Sequence, residues 1–189
     1  LQSTLNNNEI RPENLMKTYD DLFTADMKLL REQTLILVKC PTCKSDDSEK
    51  KFTKMDFDFV ECTKCKTLYV NPRPTSQALE NHYVHSQSST FWNKIFQQTE
   101  SVRKERIFKP RLQLIKKILQ DYNITNCKKM IEVGAGYGWF CEMAKNEKIA
   151  EEIIAIEPSP QVAQACKKVE GIKVIESVIE RCFDQLDAD

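Results

Sequence analysis

The apolar and polar positions in the first part of the chain predict one amphipathic helix and one short strand. Residues 1–10 are polar and rich in Asn, so we expect a disordered or loosely held arm. Pro12 suits a first helical turn, and an apolar stripe at helical spacing follows it. We expect this stripe to pack on its own protein. It consists of Leu15, Tyr19, Leu22, Phe23, Met27 and Leu30. Residues 34–38 then predict a strand.

Three apolar runs in the last part of the chain predict buried strands at residues 129–133, 153–157 and 172–176. Apolar-periodic segments at 139–144 and 159–168 predict helices after the first and the second strand. This alternation of strands and helices is typical of an α/β domain with parallel strands. Asp187, Ala188 and Asp189 resemble the approach to a fourth strand.

Residues 94–121 predict two helices that meet at Pro110, which takes the N1 position of the second helix. The expected buried face of that helix carries Leu112, Ile115, Leu119 and Tyr122. A basic cluster in the same segment consists of Arg103, Lys104, Arg106, Lys109 and Arg111. A solvated helix face is the default interpretation of this cluster. The alternative is contact with a phosphate, either of a nucleotide sugar or of RNA.

Composition narrows the class of protein. The 189 residues suit one or two domains, and the 28 basic residues balance the 28 acidic residues, so no global field favours nucleic acid or an anionic membrane. No apolar run is long enough to span a bilayer, and no signal segment opens the chain. We therefore expect a cytoplasmic protein whose eight cysteines are reduced thiols or metal ligands. The chain begins at Leu1 without Met, and we expect it to be a fragment.

Two C-x-x-C pairs predict a metal site. Cys40 and Cys43 form the first pair, Cys62 and Cys65 form the second, and 18 residues separate the two pairs. This spacing is typical of a Cys₄ zinc ribbon, in which four sulfurs surround one Zn²⁺ and leave no open position, so the metal is structural. A redox C-x-x-C pair explains one of these motifs but not both. The glycine usual after each second cysteine is absent, and Lys44 and Lys66 occupy those positions.

A glycine-rich turn follows the first predicted strand of the α/β segment, with glycines at positions 134, 136 and 138. Glycines allow a tight turn and let a ligand lie against the backbone, whose N–H groups at the start of the next helix then face that ligand. A dinucleotide-binding turn would place its third glycine at 139, where this chain has Trp. The second strand ends in Glu157, which lies 23 residues beyond Gly134 and suits both hydroxyls of a ribose. Pro158 stops that strand, and Ser159 is a plausible cap for the next helix.

The string Glu132-x-Gly134-x-Gly136-x-Gly138, together with Glu157, resembles the cofactor motifs of the class I S-adenosylmethionine (SAM) methyltransferases. The resemblance implies the first half of a Rossmann-like domain, since three of the family's seven strands are recognisable. It also implies a cofactor site in which the turn and Glu132 hold the methionine end, the acid at 157 holds the ribose, and backbone near Val178 contacts the adenine. The residues expected to bind SAM are Glu132, Gly134, Ala135, Gly136, Tyr137, Gly138, Glu157, Pro158 and Val178.

A narrower resemblance begins at the second cysteine pair. The run C-x-x-C-x3-Y-x-N-P-R-P-T from Cys62 to Thr75 is similar to a bacterial group of SAM methyltransferases, many of them associated with surface-polysaccharide or other glycan biosynthesis. The resemblance implies a small glycan or nucleotide-sugar acceptor, with Tyr83, Phe91 and Trp92 at its entrance. The expected organisation is a helical arm at 1–38, a zinc ribbon at 39–75, a helical linker at 76–122 and an incomplete Rossmann-like domain at 123–189.

Other functions stay open. The ribbon suits an RNA-binding module of an RNA methyltransferase, and a non-catalytic zinc-ribbon scaffold with a degenerate SAM domain is a further alternative. We expect little catalysis from residues 1–189 alone, and the sequence indicates neither a general base nor an oligomeric state. His82 and His85 are expected to be surface residues rather than an acid–base pair. The cysteines outside the pairs, expected to be buried thiols, are Cys127, Cys141, Cys166 and Cys182.

Overall fold

The structure, a computed structural model, describes residues 6–186, and for Gln185 it describes the backbone alone. Contacts divide the chain into two compact units. We call Asn14–Trp92 the ribbon unit, and Leu1–Glu13 together with Asn93–Asp189 the sheet unit. The predicted division into four segments is finer and stays a prediction.

The helices have between 4 and 19 residues, and the strands have between 2 and 7 residues. The helices are α1 (Asn7–Ile10), α2 (Glu13–Arg31), α3 (Ser76–His85), α4 (Gln87–Gln98), α5 (Glu100–Arg103), α6 (Lys109–Asp121), α7 (Trp139–Asn146), α8 (Pro160–Cys166) and α9 (Ile179–Cys182). A π-helical turn covers Lys104–Phe108, and a 3₁₀ turn covers Phe183–Gln185. The strands are β1 (Leu35–Ile36), β2 (Ser48–Lys54), β3 (Phe57–Cys62), β4 (Leu68–Val70), β5 (Arg73–Pro74), β6 (Lys129–Val133), β7 (Glu152–Ile156) and β8 (Lys173–Ile175).

The ribbon unit contains an antiparallel sheet in the order β2-β3-β4 and a separate pair formed by β1 and β5. The helix predicted from the apolar stripe is confirmed as α2, and Leu30 from this stripe packs in a small core with Phe57 and Ala78. Of the strand predicted at 34–38, only Leu35 and Ile36 are extended in a sheet. They pair with Arg73 and Pro74.

The hairpin between β2 and β3 turns through Met55 and Asp56, whose φ angles are 50° and 62°. Positive φ at both central residues is the geometry that two-residue hairpin turns favour, because its twist matches that of the strands. Arg31 at the end of α2 donates its Nε–H to the carbonyl of Asp56 at 2.9 Å. The tip of the hairpin is thereby attached to the helix.

The start of α4 is held by a side chain from a distant part of the ribbon unit. Asp26, in α2, is buried and accepts backbone N–H bonds from Ser88 at 2.8 Å and Gln87 at 3.3 Å. Burial alone would raise the pKa of Asp26, but the hydrogen bonds from Ser88 and Gln87 outweigh it and hold that pKa below its ordinary value. A carboxylate from α2 therefore acts as the cap of α4.

The sheet unit contains three parallel strands in the order β6-β7-β8, which confirms the three predicted strands to within one residue at each end. The central strand β7 is buried from Ile153 to Ile156 because both faces of the sheet are covered. Ile153 and Ala155 pack with Leu112, Cys141, Ala144 and Cys166 on one face, whereas Ile154 and Ile156 pack with Cys182 and Leu186 on the other. A strand covered on both faces is apolar at successive positions, as residues 153–156 of β7 are.

Three sequence predictions are corrected at the N-terminus and in the helical segment. Residues 6–10 are not a loose arm: Asn6 and Glu9 form a capping box on α1, and Ile10 is buried. Pro110 is the second residue of α6 and follows a π-helical turn, so the backbone stays helical there. Tyr122 lies just beyond the end of α6 and is 75% exposed, so it is not on the buried face. The predictions for residues 1–5 and 187–189 lie outside the described residues.

Candidate metal centre and glycine bend

Each C-x-x-C pair of the ribbon unit forms the same tight turn. The amide of Cys40 donates to the carbonyl of Ser45 at 2.8 Å, and the amide of Lys44 donates back to the carbonyl of Cys40 at 3.0 Å. In the second turn the corresponding bonds run from Cys62 to Thr67 at 2.9 Å and from Lys66 to Cys62 at 3.0 Å. The repeated turn presents two sulfurs from each pair to a common point.

The four sulfurs of the two pairs lie within 4.8 Å of one another. Cys40 and Cys65 are 3.5 Å apart at Sγ, and so are Cys43 and Cys62. A tetrahedral site with metal–sulfur bonds of about 2.3 Å has edges of about 3.8 Å, so the cluster has the size that such a site needs. None of the eight cysteines, all of which lie in the described part of the chain, forms a disulfide. The four cysteines are positioned to bind a metal ion.

A hydroxyl group supports the exposed side of this cluster. Thr67 Oγ1 lies 3.2 Å from Cys65 Sγ and donates to Thr42 Oγ1 at 3.0 Å, which ties the two turns together. The contact with Thr67 lowers the pKa of Cys65 to about 6. Cys40 and Cys62 are fully buried, whereas Cys43 and Cys65 are exposed, so one sulfur of each pair faces solvent.

The lysines that replace the usual glycines adopt the glycine conformation. Lys44 has φ 62° and Lys66 has φ 63°. A left-handed residue with a Cβ costs about 1–2 kcal/mol, so each turn holds a local strain that the surrounding bonds must offset. The missing glycines therefore do not prevent the turn that brings the sulfurs together.

In the sheet unit, the glycine bend, which we define as residues 134–138, follows β6. Gly134, Gly136 and Gly138 have φ angles of 75°, 58° and 74°. A Cβ on Gly134 or Gly136 would meet no atom within 4 Å, whereas a Cβ on Gly138 would lie 2.7 Å from Cys166 Sγ. The first two glycines leave open space beside the backbone, and the third permits close packing against α8.

Most amides of the glycine bend are bonded within the protein. Gly134 and Ala135 both donate to the carbonyl of Ile156, at 2.8 and 3.0 Å, and Gly138 donates to the carbonyl of Ala135 at 2.9 Å. The amide of Gly136 donates to Glu157. The open space at Gly134 and Gly136, more than free amides, is therefore what the bend offers to a ligand.

Glu157 joins the bend to the end of β7. Its carboxylate is 8% exposed and accepts the Gly136 N–H at Oε2 and the Ser159 N–H at Oε1, both at 2.9 Å. Each carboxylate oxygen has a second lone pair, so two further donors can be accepted. Ser159 takes the N-cap position of α8 as predicted, but its side chain makes no capping bond. Glu157 and Gly136, which are 21 residues apart in the sequence, are thus in direct contact.

The other predicted cofactor residues have different surroundings. Glu132 faces α7, where its Oε2 accepts a bond from Cys141 Sγ at 2.9 Å, and burial raises the pKa of this carboxyl. Tyr137 donates its hydroxyl to the carbonyl of Asn93 at 3.4 Å. Pro158 follows β7 and Val178 follows β8, both half-buried. Because parallel strands end at one edge, both lie at the edge that carries the bend.

An aromatic column that the sequence does not predict lies beside the bend. Trp139 stacks on Tyr137 at 5.0 Å between ring centroids and on Phe96 at 5.7 Å, and the guanidinium of Arg103 lies 3.8 Å from the centre of the Phe96 ring. The same guanidinium donates to the carbonyl of Ile10 at 2.8 Å. The only local signal was the aromatic pair that flanks Gly138, because the other members are distant in the sequence.

The residues of the basic cluster differ in exposure: Arg106, Lys109 and Arg111 are exposed as expected of a solvated face, and Lys104 is half-buried. Arg103 is buried, which contradicts the expected solvated face at this position. Lys104 bonds to Glu100 at 2.8 Å and to Glu142 at 2.9 Å, and Lys109 bonds to Glu105 at 2.9 Å. Two of its lysines are therefore already paired with carboxylates.

The remaining candidate residues differ in their exposure to solvent. His82 is half-buried and His85 is exposed, both in α3. Among the acceptor candidates Tyr83 is exposed, while Phe91 and Trp92 are half-buried. Cys141, Cys166 and Cys182 are buried thiols as predicted, whereas Cys127 is only half-buried. Burial raises the pKa of Cys166 to about 11, so this thiol is neutral at physiological pH.

Comparison of the sequence with protein-family models and with curated proteins finds no match. Among the described residues, no helix has both the length and the apolar character needed to cross a bilayer.

Proposed function

We propose that the sheet unit binds SAM at the carboxyl edge of its parallel strands, and that the protein is a methyltransferase for a small glycan or nucleotide-sugar acceptor. The observation that carries the proposal is the contact between the buried Glu157 carboxylate and the Gly136 amide. This contact holds an acid with spare acceptor capacity beside a backbone bend with open space at Gly134 and Gly136. A nucleoside needs both features, one for its ribose hydroxyls and one for close approach to the backbone.

The residues at this edge have separable roles in the proposal. Glu157 accepts the ribose hydroxyls while the amides of Gly136 and Ser159 fix its orientation. Glu132, whose carboxylate accepts a hydrogen bond from Cys141, helps to hold the methionine end of SAM. When bound, SAM supplies a methyl group on a sulfonium centre that is already a good leaving group. The protein's task is then to orient donor and acceptor and to exclude water.

The proposal is tested by isothermal titration calorimetry of the chain with SAM and with S-adenosylhomocysteine. Replacement of Glu157 by Gln removes the negative charge. It also places an NH₂ group, which can only donate, where one carboxylate oxygen accepts from a ribose hydroxyl or from a backbone amide. Hydrogen bonds to a charged group contribute about 1.5–3 kcal/mol each, so we expect the Kd to rise at least about tenfold. Glu152→Gln, at the opposite end of the same strand, is the matched control and should bind as the parent does.

Absence of heat with either ligand, or equal affinity of the Glu157→Gln variant and the parent, would contradict the proposal. Circular dichroism of each variant separates loss of binding from loss of fold. The acceptor is tested separately, by methylation of pooled nucleotide sugars and glycans.

For the metal centre we propose Zn²⁺ in a structural role. Four thiolates are soft ligands, and together they fill a tetrahedral shell without a position for water or substrate. The ion then cross-links the two turns of a segment whose own core is small. The RNA alternative has less support, because the charges of the chain balance and Lys104 and Lys109 are paired internally.

A further inference from the structure

The ribbon unit has an apolar groove that neither the metal centre nor the SAM proposal uses. It has a volume of about 460 Å³ and lies between α2, the β2–β3 hairpin and the segment from β5 to α3. Leu30 and Phe57 are buried at its base, and Phe23, Met27 and Phe59 line its sides. Ligand sites for small molecules are commonly 300–1,000 Å³ and mostly apolar, so this groove has the size and polarity of such a site.

Among residues 6–186, the charged residues that line the groove are basic. They are Lys54 at the end of β2 and Arg73 in β5, and no acidic residue that the structure describes lines the groove. Within the described residues neither side chain has a carboxylate within ion-pair distance. Other lysines of the same hairpin are paired: Lys50 bonds to Asp58 at 2.7 Å, and Lys51 lies 3.2 Å from Glu61. The groove therefore combines an apolar surface with two cations that have no anionic partner in the described part of the chain.

The rim of the groove is built in advance of any ligand. Met55, which lines the groove at the hairpin tip, is 40% exposed, and the neighbouring Asp56 carbonyl is held by Arg31 at 2.9 Å. The tip is thus bonded to the end of α2, and its left-handed backbone is defined by the two-residue turn. A preformed groove binds a ligand without the loss of loop entropy that a flexible one would suffer.

We propose that this groove binds a long-chain carboxylate, with its alkyl chain on the apolar surface and its carboxylate at Lys54 and Arg73. Charge complementarity selects an anionic head, because an unpaired cation gains most from a negative partner. The lining contains no hydroxyl or amide side chain that would bond a third oxygen, so two cationic side chains match the two oxygens of a carboxylate better than they match a phosphate.

The test is calorimetric titration of the full, metal-loaded chain with laurate below its critical micelle concentration. We expect saturable binding at about one laurate per chain, and octanoate should bind at least about tenfold more weakly because it buries four fewer methylene groups. The double variant Lys54→Ala/Arg73→Ala should weaken laurate binding at least about tenfold. Lys17→Ala/Lys28→Ala removes the same charge from exposed positions of α2 outside the groove and should bind laurate as the parent does.

Dodecyltrimethylammonium and dodecyl phosphate complete the set of probes, since their alkyl chain is close in length to that of laurate and they differ in the head group. Failure of the cation to bind, with laurate bound more tightly than the phosphate, supports the assignment. Tighter binding of the phosphate, equal binding of laurate to the two double variants, or no laurate binding to the parent overturns it. All variants change exposed side chains, and circular dichroism verifies that they fold.

Discussion

The two units both need left-handed backbone at their candidate sites, but they obtain it with different residues. In the ribbon unit, Lys44 and Lys66 adopt positive φ beside the cysteines, although each carries a full side chain. In the glycine bend of the sheet unit, every position with positive φ is a glycine. The same backbone conformation is thus tolerated with strain in one region and without strain in the other.

The difference follows from what surrounds each turn. At each lysine turn the cost is only the backbone strain of a left-handed residue. A four-sulfur centre releases on the order of 10 kcal/mol or more when it binds its ion, which is more than enough to offset that strain. At Gly138 the constraint is space, because a Cβ there would collide with Cys166. Metal binding can compensate a strained turn, whereas no nearby interaction can compensate an overlap of atoms in a packed core.

Loss of the metal site should have the largest effect. Cys62→Ser removes a buried ligand, so we expect bound zinc to fall from about one equivalent to near zero and the ribbon hairpin to lose its structure. Metal analysis measures the bound zinc, and near-ultraviolet circular dichroism measures the loss of structure. Cys127→Ser, outside the cluster, should change neither quantity. Zinc content unchanged in Cys62→Ser would remove the proposed explanation of the lysine turns.

Gly138→Ala should have the next largest effect. Backbone strain and the contact with Cys166 together should lower the free energy of unfolding by about 3 kcal/mol. Gly134→Ala introduces the strain without the contact and should cost only about 1 kcal/mol. Urea unfolding compares the two variants. An equal loss of stability in both variants would show that atomic overlap at Gly138 adds nothing to backbone strain. If the double variant Gly138→Ala/Cys166→Ala regains stability, the overlap is with Cys166.

The two units also differ in how their helices begin. In the ribbon unit α4 begins under the Asp26 carboxylate, whereas in the sheet unit α7 begins at Gly138 without a side-chain cap. Asp26→Asn should lower the free energy of unfolding by about 1–2 kcal/mol at neutral pH. Because the folded-state pKa of Asp26 lies below the unfolded value near 3.8, its stabilisation is present above that value and is lost as pH falls through the folded pKa.

The stability difference between the parent and Asp26→Asn should therefore shrink as urea unfolding is repeated below about pH 4. A difference that stays constant down to the acid transition would show that Asp26 contributes through packing and not through its charge. Asp21→Asn, on an exposed position of the same helix, serves as the control.

Relief of strain at a lysine turn should have the smallest effect. Asn tolerates the left-handed region better than Lys does. We therefore expect Lys44→Asn to raise the free energy of unfolding of the metal-loaded protein by about 0.5 kcal/mol and its thermal midpoint slightly. Lys64→Asn changes the same charge in the second turn at a residue without positive φ, and should be neutral. Equal midpoints for the two variants would mean that the lysine turns hold no strain.

Local patterns predicted the elements whose stability depends on neighbours in sequence. The apolar stripe of α2 and the runs of β6, β7 and β8 lie where they were expected. Predictions failed where a few residues depend on distant partners. The segment 6–10 was expected to be loose because it is polar, but Arg103 bonds to the Ile10 carbonyl. Tyr122 continues the helical periodicity of α6 but lies past its end.

The sequence by itself determined the four-cysteine cluster, the parallel strands and the position of the glycine bend, because each depends on spacing within a short segment. Only the tertiary structure decided that Glu157 bonds to Gly136, that Arg103 lies under Phe96, and that Lys54 and Arg73 share one apolar groove. These features join residues that are far apart along the chain. Their geometry arises from packing, which no local pattern of residue types encodes.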